Sequence, residues 1–209
     1  MKGPPTPPVD DPFAWAIYER GSTYEERERI TELNGKKDWD GLLRFGLALM
    51  RQDPGGSDGG VLAGYAFLRS GDYPRAVASL SQVVKQNPED VGAWNLLGEA
   101  QRRAGQPGQA ARTLEQASVV GRTSYVTFFF LGEAYRDAQR LDQAIPAYRE
   151  ALRLQPEFAQ GWVELGAASA RMGNQEDFAT ALAVLGKLDK GRAEELKKRV
   201  GPGPKTPNR

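Results

Sequence analysis

The sequence predicts an all-α protein, a solenoid of helix–turn–helix repeats followed by a capping helix. The main observation is an aromatic-x-x-Leu-Gly motif that returns at a constant spacing, at Trp94–Gly98, Phe128–Gly132 and Trp162–Gly166. Columns of small and apolar residues follow at the same spacing, and proline ends several of the units. Because a unit of two helices cannot bury its own apolar face, neighbouring units must stack on one another.

The repeats divide the chain into three parts. A Pro-rich leader with a short aromatic segment covers residues 1–22, and a capping helix with a disordered tail covers 193–209. Five repeats lie between them, at 23–56, 57–90, 91–124, 125–158 and 159–192. The capping helix is polar and is expected to offer Ala193, Leu196 and Val200 to the last repeat.

Each repeat is predicted to form two helices joined by a short turn. Gly71, Gly105 and Gly173 stand where a glycine ends the first helix of a repeat. At the start of the first repeat, Ser22 and Glu25 are predicted to form a capping box.

Glycine also recurs in the middle of four predicted helices, at Gly64, Gly98, Gly132 and Gly166. A glycine inside a helix costs about 1 kcal/mol relative to alanine. The repetition of that cost predicts a close approach between helices at these positions.

This pattern resembles the tetratricopeptide repeat (TPR) family, whose repeat of about 34 residues has the signature W-x2-L-G-x2-Y, then A-x3-F, then P. The 125–158 repeat matches it at Leu131, Gly132, Tyr135, Ala144, Tyr148, Ala151 and Pro156. The resemblance covers about four-fifths of the chain. It implies a right-handed α-solenoid whose first helices line the concave side, and a role as a scaffold in protein–protein interaction.

Composition argues against most chemistry. The chain has neither cysteine nor histidine, and its net charge is +1. We therefore predict that it is not an enzyme and has no cofactor and no metal site. The near-neutral charge also argues against a nucleic-acid partner, including the RNA bound by helical repeats of the pentatricopeptide type.

No segment is long and apolar enough to predict a membrane span. The sequence as written predicts a cytoplasmic protein. A periplasmic or membrane-tethered location stays open if a signal or anchor has been removed.

The resemblance and the helical period together predict which side chains face inward from the first helices. The positions predicted to line a peptide-binding groove are Val61, Leu62, Tyr65, Asn95, Leu96, Glu99, Arg102, Arg103, Val126, Phe129, Phe130, Glu133, Arg136 and Val163. Many of them are apolar and have no evident core role, which is typical of a binding surface. The alternative is that they pack between adjacent first helices. Relatives that bind chaperone tails hold a carboxylate with lysines, asparagines and an arginine, and these are absent from the matching positions.

Two functions stay open. The first is an adaptor that binds an apolar or amphipathic segment of an unidentified protein partner in the groove. The second is a homo-oligomer that assembles through the array ends or through the aromatic segment at 13–18. That segment either caps the first repeat or occupies a groove, and we expect Phe13, Trp15 and Ile17 to pack on the array.

Overall fold

The computed structural model describes residues 13–201, apart from the side chains of Ala14 and Trp15. The predicted all-α repeat fold is confirmed within this range, which holds twelve α-helices and no strand. None of these helices is long and apolar enough to cross a membrane. The expected extension of the leader over 1–12 and of the disordered tail over 202–209 lies outside the described residues.

The chain forms two compact units, which divide between Val120 and Gly121. The helices of the N-terminal unit are α1 (Ala14–Tyr18), α2 (Tyr24–Gly35), α3 (Trp39–Gln52), α4 (Asp58–Ser70), α5 (Tyr73–Gln86), α6 (Val91–Arg103) and α7 (Pro107–Val120). Those of the C-terminal unit are α8 (Tyr125–Asp137), α9 (Leu141–Leu154), α10 (Ala159–Arg171), α11 (Gln175–Leu188) and α12 (Lys190–Val200). From α2 onward, the helices follow one another as antiparallel pairs, and α12 is the predicted capping helix.

The turns inside these pairs share one backbone feature. A residue with positive φ recurs once in each repeat, at the spacing of the sequence motif: Lys37 (55°), Gly71 (86°), Gly105 (75°), Gln139 (62°) and Gly173 (74°). The three predicted helix-ending glycines are therefore confirmed. Lys37 and Gln139 adopt the same left-handed conformation without glycine, at a cost of about 1 kcal/mol each.

The predicted capping box at the start of α2 is wrong by one residue. Thr23, not Ser22, is the N-cap, and its Oγ1 accepts a hydrogen bond from Glu26 N at 3.1 Å. The Glu26 carboxylate accepts in return from Thr23 N at 3.0 Å. Ser22 lies just outside the cap and donates both its N–H and its hydroxyl to the same carboxylate. Two neighbouring hydroxyl residues and two neighbouring glutamates make the register ambiguous from sequence alone.

The predicted close approach at the mid-helix glycines is confirmed. In three repeats, a side chain of the second helix fills the space that a glycine Cβ would take: Leu80 at Gly64, Leu114 at Gly98 and Tyr148 at Gly132. In each case, one carbon of that side chain lies 2.5 Å from the position of the missing Cβ. At Gly166, the filling side chain is Leu196 of α12, at 2.6 Å. The glycines therefore let paired helices pack closer than any other residue allows.

Candidate protein-interaction site

The predicted groove residues of the N-terminal unit are buried. Val61, Leu62, Tyr65 and Leu96 are fully buried, and Asn95 and Glu99 are 4% and 5% exposed. The expectation that this face is open is therefore wrong for these side chains. They pack inside the unit, which is the alternative that the sequence left open. Whether they bind a peptide stays a prediction.

Tyr65 illustrates how this packing arises. Its ring meets Phe13 of the N-terminal segment and Trp39 of α3 edge-on, with centroid distances of 6.5 and 6.1 Å. Its hydroxyl donates to Asn34 Oδ1 at 2.9 Å and accepts from Arg69 at 3.2 Å. A helical period predicts the direction of Tyr65, but it does not reveal that three other segments converge there.

The arginines predicted to surround the groove are paired on their own helix. Glu99 accepts from Arg102 at 2.7 and 2.8 Å and from Arg103 at 2.8 Å. Two guanidinium groups therefore share one buried carboxylate. Arg103 is nevertheless 56% exposed, whereas Arg102 is largely covered.

In the C-terminal unit, the predicted aromatic pair also belongs to a packed cluster. Phe129 and Phe130 are 6% and 5% exposed, and their ring centroids lie 5.4 Å apart. Phe129 also meets Phe158 edge-on at 4.9 Å. Val163 is fully buried, whereas Val126 is half-buried. The expected exposure of Phe129, Phe130 and Val163 is wrong as well, because neighbouring helices of this unit enclose them.

A buried network joins the polar groove residues of the C-terminal unit. Arg136 donates to Glu133 at 2.6 Å and to Glu164 at 2.8 Å. Tyr148 donates its hydroxyl to Glu133 at 2.7 Å. Arg199 of α12 donates twice to Glu164, at 2.9 Å each. Arg136 and Glu133 were predicted as groove residues, whereas nothing in the sequence indicated that the capping helix contributes Arg199.

The pKa values that this network shifts include those of Tyr148 and Arg136. Burial raises the pKa of the Tyr148 hydroxyl well above its ordinary range, and the charge of Glu133 raises it further. Burial lowers the pKa of Arg136, but the neighbouring carboxylates outweigh that effect and raise it. Both groups therefore keep their protons throughout the physiological range.

A cavity of about 310 Å³ lies beside this network in the C-terminal unit. Its lining comprises Arg136, Ala167, Ala168, Ala170, Arg171, Arg199 and Val200. Arg136 pairs with Glu133, Asp137 and Glu164, and Arg199 also pairs with Glu164, so the cavity is only weakly cationic. Among residues 13–201, no cluster of acidic side chains is suited to hold a metal ion.

The aromatic segment at the N-terminus packs on the N-terminal unit. Helix α1 contacts α2 and α4, and Phe13 and Ile17 are 6% and 1% exposed. The predicted packing of Phe13 and Ile17 is confirmed, whereas the side chain of Trp15 lies outside the described part. Because Phe13 meets Tyr65 of α4, the segment covers a side chain that was predicted to line the groove.

Arg20, just after α1, fixes the other end of this segment. Its guanidinium donates to both carboxylate oxygens of Asp90, at 2.6 and 2.8 Å. It also donates to Ser57 Oγ at 3.3 Å and lies 3.5 Å from Asp58. Its Nε donates to Ala16 O at 2.9 Å, which orders the side chain. Arg20 and Asp90 are 15% and 10% exposed, so most of this bidentate pair is removed from water.

The pKa values follow this arrangement. Burial raises the pKa of Asp90, but the hydrogen bonds and the charge of Arg20 outweigh burial and hold it below its ordinary value. At Asp58, burial outweighs the more distant attraction of Arg20 and raises the pKa. Arg20 interacts with both carboxylates, but Asp90 is its main partner.

The α6 side of this contact contains a glycine and an unpaired acceptor. A Cβ on Gly92 would lie 2.7 Å from Arg20 Nη2 and 3.5 Å from Ala16 Cβ, so the segment sits directly on Gly92. Asn95, one turn further along the same side of α6, is buried. Its Oδ1 has no hydrogen-bond partner among the described residues. We call Asp58, Tyr65, Asp90, Gly92 and Asn95 the α4/α6 face, and residues 13–20 the N-terminal segment.

The fold defines a class of protein, the helical repeat proteins built of helix–turn–helix units of constant length. Models described as "Tetratricopeptide repeat" and "TPR repeat" match residues 61–124 and 132–173. The TPR repeat-containing protein PA0015 of Pseudomonas aeruginosa is 32% identical over 96 residues, which are 46% of this chain and 76% of that protein. The chain therefore belongs to the tetratricopeptide repeat family.

More distant similarities support the same fold. Superkiller complex protein 3 of Mus musculus is 25% identical over 123 residues, which are 58% of this chain. The chain spans only 8% of that protein. The solved structure of YrrB, described as a TPR protein with an unusual peptide-binding site, has a TM-score of 0.62 at 18% identity. That match covers 90% of this chain and 98% of YrrB. The TPR fold indicates a role in protein–protein interaction.

Proposed function

We propose that this chain is a protein-interaction scaffold that binds an apolar segment of a partner protein on the α4/α6 face. The single observation that supports this proposal is the N-terminal segment itself. A short apolar stretch lies across α4, with Phe13 on Tyr65 at one end and Arg20 on Asp90 at the other. A face that accommodates such a stretch has the shape and the polar anchor to accommodate a similar stretch from a partner.

Tyr65 and Asn95, both from the predicted groove set, form part of the proposed site. Tyr65 offers an aromatic ring to an apolar anchor. Asn95 offers a buried acceptor to an N–H donor of the ligand. The peptide-binding site ascribed to YrrB makes such a role familiar in this fold. The other buried groove residues of the N-terminal unit contribute by supporting these helices.

A pair of matched glycine variants tests the proposal in the full-length chain. Gly92 and Gly108 are both the second residue of a helix in the N-terminal unit. A side chain at Gly92 meets the N-terminal segment, whereas a Cβ at Gly108 has no neighbour within 4 Å among the described residues. Gly92→Leu therefore fills the proposed site, and Gly108→Leu is its control.

The measurement begins with peptides selected from a random library on the unmodified chain. Titration of each selected peptide against both variants follows. We expect Gly108→Leu to bind like the unmodified chain and Gly92→Leu to bind at least about tenfold more weakly, because its side chain occupies the space of the ligand. A library that gives no binder, or binders that tolerate Gly92→Leu, would contradict the proposal.

The same two variants also test whether the chain assembles with itself through this face. Sedimentation at two concentrations measures whether the chain associates with itself. A mass that rises with concentration in Gly108→Leu but not in Gly92→Leu would identify a second copy as the partner, through the same face. A constant mass in both variants leaves a different protein as the partner.

A further inference from the structure

We infer that the N-terminal segment is an internal ligand, and that the partner's segment carries the same chemistry: an aromatic residue, an aliphatic residue four positions on, and an arginine three positions after that. In this chain, these are Phe13, Ile17 and Arg20. The inference rests on the proposed function and adds the recognition pattern and its regulation. An external segment binds only when the internal one leaves.

The first step concerns the helix of the segment. Helix α1 has only five residues, and isolated helices shorter than about 12 residues are marginal in water. Its fold therefore depends on the surface below it. Phe13 and Ile17 are one turn apart, joined by the hydrogen bond from Ile17 N to Phe13 O at 3.0 Å, and both are buried. The segment thus docks as an amphipathic ligand does, through anchors on one side of a helix.

The second step concerns the polar anchor. Arg20 and Asp90 are 70 residues apart in sequence, so this bidentate pair exists only when the segment is docked. Asp90 is also the N-cap of α6 and accepts from Ala93 N at 2.9 Å, so its carboxylate is already oriented before an arginine arrives. Lysine cannot reproduce two parallel hydrogen bonds to one carboxylate. The pattern therefore requires arginine.

The third step concerns what the internal ligand leaves unsatisfied. Asn95 Oδ1 is buried on the same side of α6 as Gly92 and lacks a partner among the described residues. An unpaired buried acceptor is costly. An external segment that donates an N–H to Asn95 gains this interaction and can compete with the internal one.

Attachment to the same chain gives the internal segment its advantage. A short linker creates an effective concentration in the millimolar range, so a free ligand of equal chemistry binds the unmodified chain weakly. The apparent affinity falls in proportion to the fraction of molecules whose face is open. A change in the internal segment that weakens its docking but leaves the face intact should therefore strengthen binding of an external segment.

The experiment uses a labelled peptide with the sequence of residues 13–21 and the full-length chain. Arg20→Ala removes the polar anchor of the internal segment and leaves the face intact. We expect this variant to bind the peptide at least about tenfold more tightly than the unmodified chain. A second peptide, in which the residue equivalent to Arg20 is alanine, should lose most of that affinity.

The acceptor is tested in the Arg20→Ala background. Adding Asp90→Asn removes the carboxylate charge but keeps a residue that caps helices well, so the peptide should lose the gain in affinity. Asp72→Asn is the matched control, because Asp72 caps α5 of the same unit and pairs with Arg75. Peptide binding that survives Asp90→Asn, or an Arg20→Ala variant that binds no more tightly than the unmodified chain, would overturn the inference.

A second readout does not depend on Arg20→Ala folding normally. The chain contains no cysteine, so a thiol-reactive spin label modifies only cysteines that are introduced. We place two of them at exposed positions of the N-terminal unit, as Glu19→Cys and Gln109→Cys. Adding the library-selected peptide in excess should lengthen the distance between the labels as the internal segment leaves. An unchanged distance at saturation overturns the inference.

The two proposals fail separately. Selected peptides that depend on Gly92 but neither displace the segment nor share its pattern leave the proposed function standing and refute the internal ligand. Selected peptides that are insensitive to Gly92→Leu refute both. A mass increase of Arg20→Ala with concentration would show that the released segment docks on a second copy, which overturns the assignment of a different protein as the ligand's source.

Discussion

Replacing Gly132 by alanine tests the close approach of helices on which the repeats depend. An alanine Cβ there would lie 2.5 Å from Tyr148 Cε1 and 2.6 Å from Cδ1. Tyr148 is fully buried, and its hydroxyl donates to Glu133 at 2.7 Å, so the ring cannot turn aside without losing that bond. Overpacking costs about 1–3 kcal/mol, and straining a buried hydrogen bond adds about 1 kcal/mol.

An opposing effect must be subtracted from this cost. Alanine is a better helix former than glycine by about 1 kcal/mol. The net expectation for Gly132→Ala is a loss of about 1–3 kcal/mol in the free energy of unfolding. Gly186→Ala, in α11 of the same unit, isolates the helix-propensity effect, because a Cβ at Gly186 has no neighbour within 4 Å in the described part of the chain. It should stabilise by up to about 1 kcal/mol.

The assay is urea unfolding of both full-length variants, followed by far-UV circular dichroism. The two variants are predicted to shift the unfolding midpoint in opposite directions. This comparison does not require the repeat array to unfold in a strict two-state transition. The midpoint of Gly132→Ala should fall below that of the unmodified chain, and the midpoint of Gly186→Ala should rise. If both midpoints rise, the ring of Tyr148 moves aside without a loss of stability, and the packing argument is wrong.

Three further predictions follow from other contacts. Phe129→Ala should cost about 3–5 kcal/mol of stability, measured by the same unfolding assay, because its ring is enclosed by other aromatic rings. Thr23→Ala should cost about 1 kcal/mol and speed amide exchange in the first turn of α2, whereas Ser22→Ala should have a smaller effect. Because Arg20 holds the pKa of Asp90 below its ordinary value of 3.8, the pair stabilises docking of the N-terminal segment above that pH. Docking should weaken as the pH falls through this lowered pKa. The distance between the spin labels should therefore increase over that pH range in the labelled chain with Asp90, but not in the same labelled chain with Asp90→Asn.

Much of the fold can be predicted from the repeat period. The constant spacing of the repeats predicts the turn positions even where the expected glycine is missing, since Lys37 and Gln139 adopt the left-handed conformation of Gly71. The physical reason is that stacking of neighbouring helix pairs fixes the turn, and the local preference of one residue is too small to oppose it. The capping box of α2 was predicted one residue early, because Ser22 and Thr23 are equivalent as sequence signals.

The site was predicted less well, because a helical period gives the direction of a side chain but not what lies opposite. Val61 and Leu96 were expected to line an open face, yet they are fully buried. The pairing of Arg20 with Asp90 has no local signal, since it joins residues from distant parts of the sequence. Nor does the sequence reveal that Gly92 is the point on which the N-terminal segment rests.

Helix α12, at the end of the C-terminal unit, and helix α1, at the start of the N-terminal unit, pack in different ways. At Gly166, the space filled by the second helix in earlier repeats is filled by Leu196 of α12, which belongs to a core cluster with Ala181 and Leu185. Removing α12 would leave a cavity in its own unit, a loss of several kcal/mol. Helix α1 instead contributes Ala16 to the contact with Gly92, at the start of α6. It lies on α2 and α4, and the buried side chains on it and just before it include Phe13, Ile17 and Tyr18. Arg20 after it pairs with Asp90 and Asp58, and below it each helix keeps its own pairing partner. Release of such an element uncovers its buried side chains but leaves the helix pairs below it in place, which is the physical requirement for an internal ligand.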